Sequence, residues 1–103
     1  MEEKTATYTA ILQENIKAHG KELETTVAME ELAELIQAVS KVKRYGFKDE
    51  YKDNLIEELA DVDIVITELI MLFDVNTEEF YSVMDRKVQR IKKRLEERKE
   101  KDA

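Results

Sequence analysis

The sequence predicts an all-α fold of four helices, and three observations carry that reading. Its 103 residues contain 0 Pro and only 2 Gly, so almost nothing in the chain breaks a helix. The abundant Glu, Lys, Leu, Ile and Ala lose little side-chain freedom in a helix. Hydrophobic residues make up 43% of the chain, too many for a disordered acidic segment, and they recur with a helical period in four separate stretches.

The first stretch sets Tyr8, Ile11, Leu12 and Ile16 on one face and ends near His19 and Gly20. The second covers residues 24–44, with Val27, Met29, Leu32, Leu35, Ile36, Val39 and Val42 as its apolar members. Tyr45, Gly46 and Phe47 break the period and lead into a charged connection. A third helix is expected over residues 54–73, opened by an Asn54 cap that Glu57 completes as a capping box. Its Leu55, Leu59, Val62, Ile66, Leu69, Ile70 and Phe73 are joined by Ile56, Ile64, Val65, Met71 and Leu72. A helix apolar nearly all round is expected to be central and buried on more than one side. After a turn, Asn76 or Thr77 caps a fourth helix, with Glu78 and Glu79 favourably placed in its first turn. That helix carries Phe80, Val83, Met84, Val88, Ile91 and Leu95 and is expected to fray beyond Leu95. The whole reads as one domain, residues 1–103, with a charged tail over 96–103.

Composition removes most chemistry. With 0 Cys and 1 His there is no disulfide framework, thiolate nucleophile, Cys-rich cluster or two-His zinc site. Two isolated glycines build no phosphate loop. Against this stand 24 Asp and Glu and a net charge of −7, so any chemistry falls to carboxylates. Residues 85–103 hold nine Lys and Arg against five acids, net +4, which leaves the first 84 residues at −11. An acidic body of this kind argues against nucleic acid as a partner. No apolar N-terminal run resembles a signal peptide, and the apolar residues 62–73 are interrupted by Asp63, Thr67 and Glu68. A soluble cytoplasmic protein with no membrane partner is expected. A domain this small is marginal alone, which favours a homo-oligomer.

Helices two and three repeat a pattern: Glu30-Glu31-Leu32-Ala33-Glu34 and, 27 residues later, Glu57-Glu58-Leu59-Ala60-Asp61. Each copy puts two carboxylates at i and i+3, about 60° apart on one face and able to reach one cation. In so acidic a chain the spacing also arises by chance as solvated surface charge. The helical projection separates the two readings. Glu58 falls between Leu69 and Val65, Asp61 lies beside Leu72, and Glu31 and Glu34 flank the side that holds Val27 and Ala38, whereas Glu30 and Glu57 point outward. Acids set into a core face repel one another and are costly to desolvate, so a positive partner is expected. The all-oxygen set suits Mg²⁺, with Mn²⁺ as a substitute. Such an ion polarises a phosphoryl group and acidifies water, and a carboxylate not used as a ligand serves as general base.

At these residues the chain resembles the all-α nucleoside triphosphate pyrophosphohydrolases of the MazG-like superfamily, which includes dimeric dUTPases and phosphoribosyl-ATP pyrophosphohydrolases. Their signature is ExxE on one helix and ExxD on the next, here Glu31-Leu32-Ala33-Glu34 and Glu58-Leu59-Ala60-Asp61. The runs over residues 30–38 and 57–62 and the four-helix length resemble small phage-type members. The resemblance implies a four-helix MazG-like bundle that assembles into dimers or tetramers. It implies Mg²⁺-dependent cleavage of a nucleoside triphosphate between the α and β phosphates, giving a monophosphate and pyrophosphate in nucleotide-pool house-cleaning. Glu31, Glu34, Glu58 and Asp61 then serve as catalytic metal ligands. Lys87 and Arg90 resemble basic positions that face substrate in related proteins, and His19 takes the position of an aromatic that stacks on the base.

Lys41, Lys43, Arg44 and Lys48 follow the first motif, where they meet a triphosphate or merely answer the helix dipole. Of these, Lys41 and Arg44 join Lys87 and Arg90 as the substrate-binding candidates. Glu68, seven residues beyond Asp61 on the same face, either supports the site from behind or is a surface acid. Tyr8, Tyr45, Phe47 and Tyr51 belong to a base pocket or to the core, and His19 reads as a helix end without catalytic duty. Two other functions compete: a phosphoribosyl-ATP pyrophosphohydrolase of histidine synthesis, loosely suggested by Tyr8-Thr9, and a helical interaction module without catalysis.

Overall fold

The computed structural model describes residues 2–102, with side chains from Tyr8 onward. Met1 and Ala103, at the ends of the expected domain and tail, lie outside the described residues. Four helices, α1 (Glu2–His19), α2 (Lys21–Tyr45), α3 (Asp49–Leu72) and α4 (Thr77–Asp102), account for nearly all of the backbone. No strand occurs among the described residues. No described helix is long and apolar enough to cross a membrane. The chain divides between Phe73 and Asp74 into two compact units.

The first unit packs α2 against α3, with α1 touching both. Gly20 alone joins α1 to α2. Its φ of 84° and ψ of 161° lie in a region essentially restricted to glycine. There its N–H donates to the Ile16 carbonyl at 2.8 Å, and its own carbonyl accepts from Glu24 N–H at 3.1 Å. A Cβ at this position would meet nothing within 4 Å, so backbone conformation and not space demands the glycine. Residues 46–48 return the chain from α2 to α3, and Gly46 N–H closes α2 on the Val42 carbonyl at 2.8 Å.

The expected start of the third helix is corrected: Lys48 is the N-cap and α3 begins at Asp49. Asn54 sits inside α3, not at its cap. Asp49 and Glu50 favour an early start through the helix dipole, and nothing between them and Asn54 breaks the helix. At the other end of the unit, the Lys21 ammonium lies 4.3 Å from the centre of the Phe73 ring, a cation–π contact between the start of α2 and the end of α3.

Ala28, Ala38, Val62 and Val65 form the buried apolar core. Ala38 is 0% exposed, and such small side chains let the two helix axes approach closely. The expectation that α3 is enclosed holds only for part of its surface. Ile56, Leu59, Ile64 and Ile66 of α3 stay exposed, as do Met29, Leu32, Ile36 and Val39 of α2. Two neighbouring helices leave part of an all-round apolar helix uncovered.

The second unit is built on α4. Asn76 caps it, its Oδ1 accepting Glu79 N–H at 2.9 Å, as expected from the sequence. The helix runs on to Asp102 and does not end at Leu95, since its Lys, Arg and Glu residues are good helix formers. None of its residues is buried.

Candidate functional site

Carboxyl groups of α2 and α3 meet in pairs: Glu24 with Glu68, Glu31 with Asp61 and Glu34 with Glu58. Seven residues forward on α2, from Glu24 to Glu31, match seven back on α3, from Glu68 to Asp61; a further three match three. All six acids therefore lie along one antiparallel seam. At 1.5 Å per residue, Glu24 and Glu34 are about 15 Å apart, so the seam carries two separate clusters.

The inner cluster gathers the two motifs. One carboxylate oxygen from each of Glu31, Glu34 and Glu58 lies within 4.8 Å of the others. Glu31 and Glu58 are half-buried, and each keeps one buried oxygen, Oε2, with no hydrogen-bond partner. Such an atom has lost water and gained nothing in return. Burial holds the Glu31 carboxyl above its ordinary value, and the charges of Glu34, Asp61 and Glu58 add to the effect. A hydrogen bond to Asp61 becomes available only when Glu31 carries the proton. Desolvation also raises Glu58, followed by the charges of Glu34 and Asp61 and a comparable shared-proton bond with Glu34.

The donor set fits a small hard cation. Opposite oxygens in an octahedron with metal–oxygen bonds of ~2.1 Å stand about 4.2 Å apart, so modest side-chain rotation would close the trio around one ion. Asp61 stands outside the tightest trio but beside Glu31 and Glu58, placed to complete the coordination or to hold a water. The cation would satisfy the orphaned oxygens and reverse the repulsion that raises their pKa values.

No family model, curated protein or solved structure matches the chain.

Beyond Glu34 and Glu58, Lys41, Tyr45, Glu50, Tyr51 and Asn54 line an open depression of 480 Å³. The Tyr45 and Tyr51 rings stack with centroids 5.0 Å apart and an interplanar angle of 24°. Partial burial raises the Tyr51 phenol, with the charge of Glu50 as the next cause. Lys41 lies two helical turns from Glu34 on the same face, and Arg44 lines a neighbouring hollow with Ile36, Gln37, Ser40, Lys41 and Tyr45. Lys43, Lys48 and Phe47 are exposed. Lys87 and Arg90 are exposed on α4, in the second unit. Tyr8 borders a small apolar hollow with Ile11, Leu12 and Ile64.

The outer cluster was not apparent in the sequence. Glu24 and Glu68 are only 6% and 5% exposed, so of the two alternatives for Glu68 the surface acid is excluded. Asn15 of α1 donates through Nδ2 to Glu68 Oε2 at 2.9 Å and to Glu24 Oε1 at 3.4 Å. His19, at the end of α1, brings Nδ1 within 3.3 Å of Glu24 Oε1 and 3.0 Å of the Asn15 carbonyl. The Glu24 carboxyl is raised first by burial and next by the Glu68 charge, with His19 opposing. The recoverable signal was the seven-residue spacing from Glu24 to Glu31 and from Asp61 to Glu68, which keeps each pair on one helix face.

Proposed function

We propose that this chain is a Mg²⁺-dependent nucleoside triphosphate pyrophosphohydrolase of the MazG-like kind, cleaving between the α and β phosphates. The observation that carries the reading is the trio Glu31, Glu34 and Glu58, which bring one oxygen each within 4.8 Å of the others while Glu31 and Glu58 each keep Oε2 buried without a partner. Glu34 is exposed, but the buried, unpartnered oxygens of Glu31 and Glu58 are what carboxylates that receive a divalent ion require. The sequence resemblance supplies the identity of the reaction.

In this reading Glu31, Glu34, Glu58 and Asp61 would hold Mg²⁺, for which Mn²⁺ can substitute. When bound, the ion supplies charge neutralisation on the phosphates and lowers the pKa of nearby water. A water oxygen would bond to one phosphorus of the α–β anhydride as its bond to the bridging oxygen breaks; the other phosphate group would leave with that bond's electron pair, and the water proton would pass to a carboxylate of the cluster not fully used as a ligand. Lys41 and Arg44, on α2 beyond Glu34, offset the substrate's negative charge. The exposed Met29, Leu32 and Ile36 of α2 and Ile56 and Leu59 of α3 support assembly as a homodimer or tetramer, since a monomer rarely leaves so much apolar surface in water.

Pyrophosphate release from a panel of ribo- and deoxyribonucleoside triphosphates, with Mg²⁺ and with chelator, tests the proposal. Release that requires Mg²⁺ and is lost in Glu58→Gln is expected. No release from any nucleotide, or release unchanged in Glu58→Gln, would overturn it.

A further inference from the structure

Along α4, Tyr81, Met84, Val88, Ile91 and Leu95 recur at alternating intervals of three and four residues, the spacing of a two-stranded coiled-coil seam. All five are large, and each is between 46% and 59% exposed. A helix with one apolar stripe and charged residues on its other faces is stable when that stripe is covered. We propose that this stripe is covered by the α4 of a second copy of the chain, running antiparallel.

The charges beside the stripe select both the partner and its direction. In a parallel pair the flanking positions would set Lys87 against Lys92 and Arg94 against Lys99, so every charged contact between copies would be repulsive. In an antiparallel pair centred between Gln89 and Arg90, Val88 packs on Ile91 of the other copy and Met84 on Leu95. The same register sets Asp85 against Lys92 and Glu78 against Lys99 on one flank, each pair occurring twice by symmetry. Lys87 facing Arg94 on the other flank is the one unfavourable pairing and likewise occurs twice, and at each end Tyr81 lies against the aliphatic stem and guanidinium of Arg98. Sliding the register by one heptad either way brings Asp85 opposite Asp85 or Lys92 opposite Lys92 and removes part of the apolar overlap. Charge and apolar content thus agree on one arrangement, independently of what the acidic cluster does.

The absence of cysteine from the chain makes a direct test available. Full-length Met84→Cys and Leu95→Cys chains, distinguished by tags of different length, are oxidised separately and mixed. The antiparallel register brings Met84 of one copy beside Leu95 of the other but leaves two Met84 positions about 16 Å apart, too far for a disulfide. Cross-linking between the two variants, with little within either, is expected. In the same mixture Lys92→Glu weakens pairing about tenfold, and adding Asp85→Lys restores it. Cross-linking of each variant to itself, which marks a parallel pair, would overturn the proposal. So would no cross-link while both thiols remain open to labelling and the helical signal is unchanged, or stronger pairing in Lys92→Glu.

Discussion

Asn15 donates to Glu68 at 2.9 Å across 53 residues of sequence, and the same amide nitrogen reaches Glu24 at 3.4 Å. One side chain of α1 thereby joins a buried acid of α2 to a buried acid of α3. Without that donor two carboxyl groups would face each other in a site closed to water, where like charges are costly.

Replacing Asn15 with Ala is expected to destabilise the chain by about 1–3 kcal/mol, the scale of a buried hydrogen bond to a charged group. Asn15→Asp adds a third carboxylate and is expected to cost more at pH 7 than at pH 5. Urea unfolding at the two pH values measures both effects, and equal costs for Asn15→Asp at the two values would count against the buried-acid account.

Stability of the metal-free protein is expected to fall as pH rises. Glu24, Glu31 and Glu58 are all raised above the ordinary carboxyl value of 4.5 by burial and like charge. Between the unfolded and folded pKa values the native state binds more protons than the unfolded state, so the slope of stability with pH is negative. The contribution is fully present below pH 4.5 and is lost as pH rises through the raised values. Melting temperatures in chelator from pH 4.5 to 7.5 measure the slope, and a rise in stability over that range would count against it.

Mg²⁺ is expected to raise the melting temperature at pH 7, because an ion bound only by the folded state stabilises it by mass action, about 2.7 kcal/mol at one hundred times Kd. The same ion competes with protons for Glu31 and Glu58, so its effect shrinks at pH 5. Glu31→Gln and Glu58→Gln are expected to lose most of the shift while folding at least as well as the parent in chelator. A thermal series across Mg²⁺ concentrations checks this, and an equal shift in parent and both variants would place the ion elsewhere.

Gly20→Ala is expected to destabilise by roughly 1–3 kcal/mol, the cost of holding a side-chain-bearing residue in a glycine-only conformation. Since a Cβ meets no neighbour there, enlarging the residue further to Ser should cost little more. Denaturant midpoints of the three proteins separate backbone strain from crowding.

The fold is most legible in the sequence where long-range packing is not needed. The four helical stretches, the break at Gly20 and the Asn76 cap follow from periodicity and local capping chemistry. Asn54 matches a cap without being one, because an Asn three residues before a Glu satisfies the capping pattern equally well in mid-helix and nothing local distinguishes the two settings. Exposure of Leu32, Leu59 and Ile56 was not legible either: a hydrophobic stripe records that a surface wants cover, not whether the same chain supplies it. At the acidic seam, Glu31, Glu34 and Glu58 stood out through a repeated motif. Glu24 and Glu68 did not, because their burial depends on an antiparallel register and on Asn15 arriving from α1.

The equal steps along α2 and α3 determine which changes of length the seam can absorb. Residues 46–48 only return the chain, so a longer connection there would preserve the pairing of all six acids at a small entropic cost. A single residue inserted within α2 between Glu24 and Glu31 would instead turn one cluster about 100° from the other and separate them by a further 1.5 Å. Variation in length is therefore confined to the hairpin, while the two helices keep time with each other residue by residue.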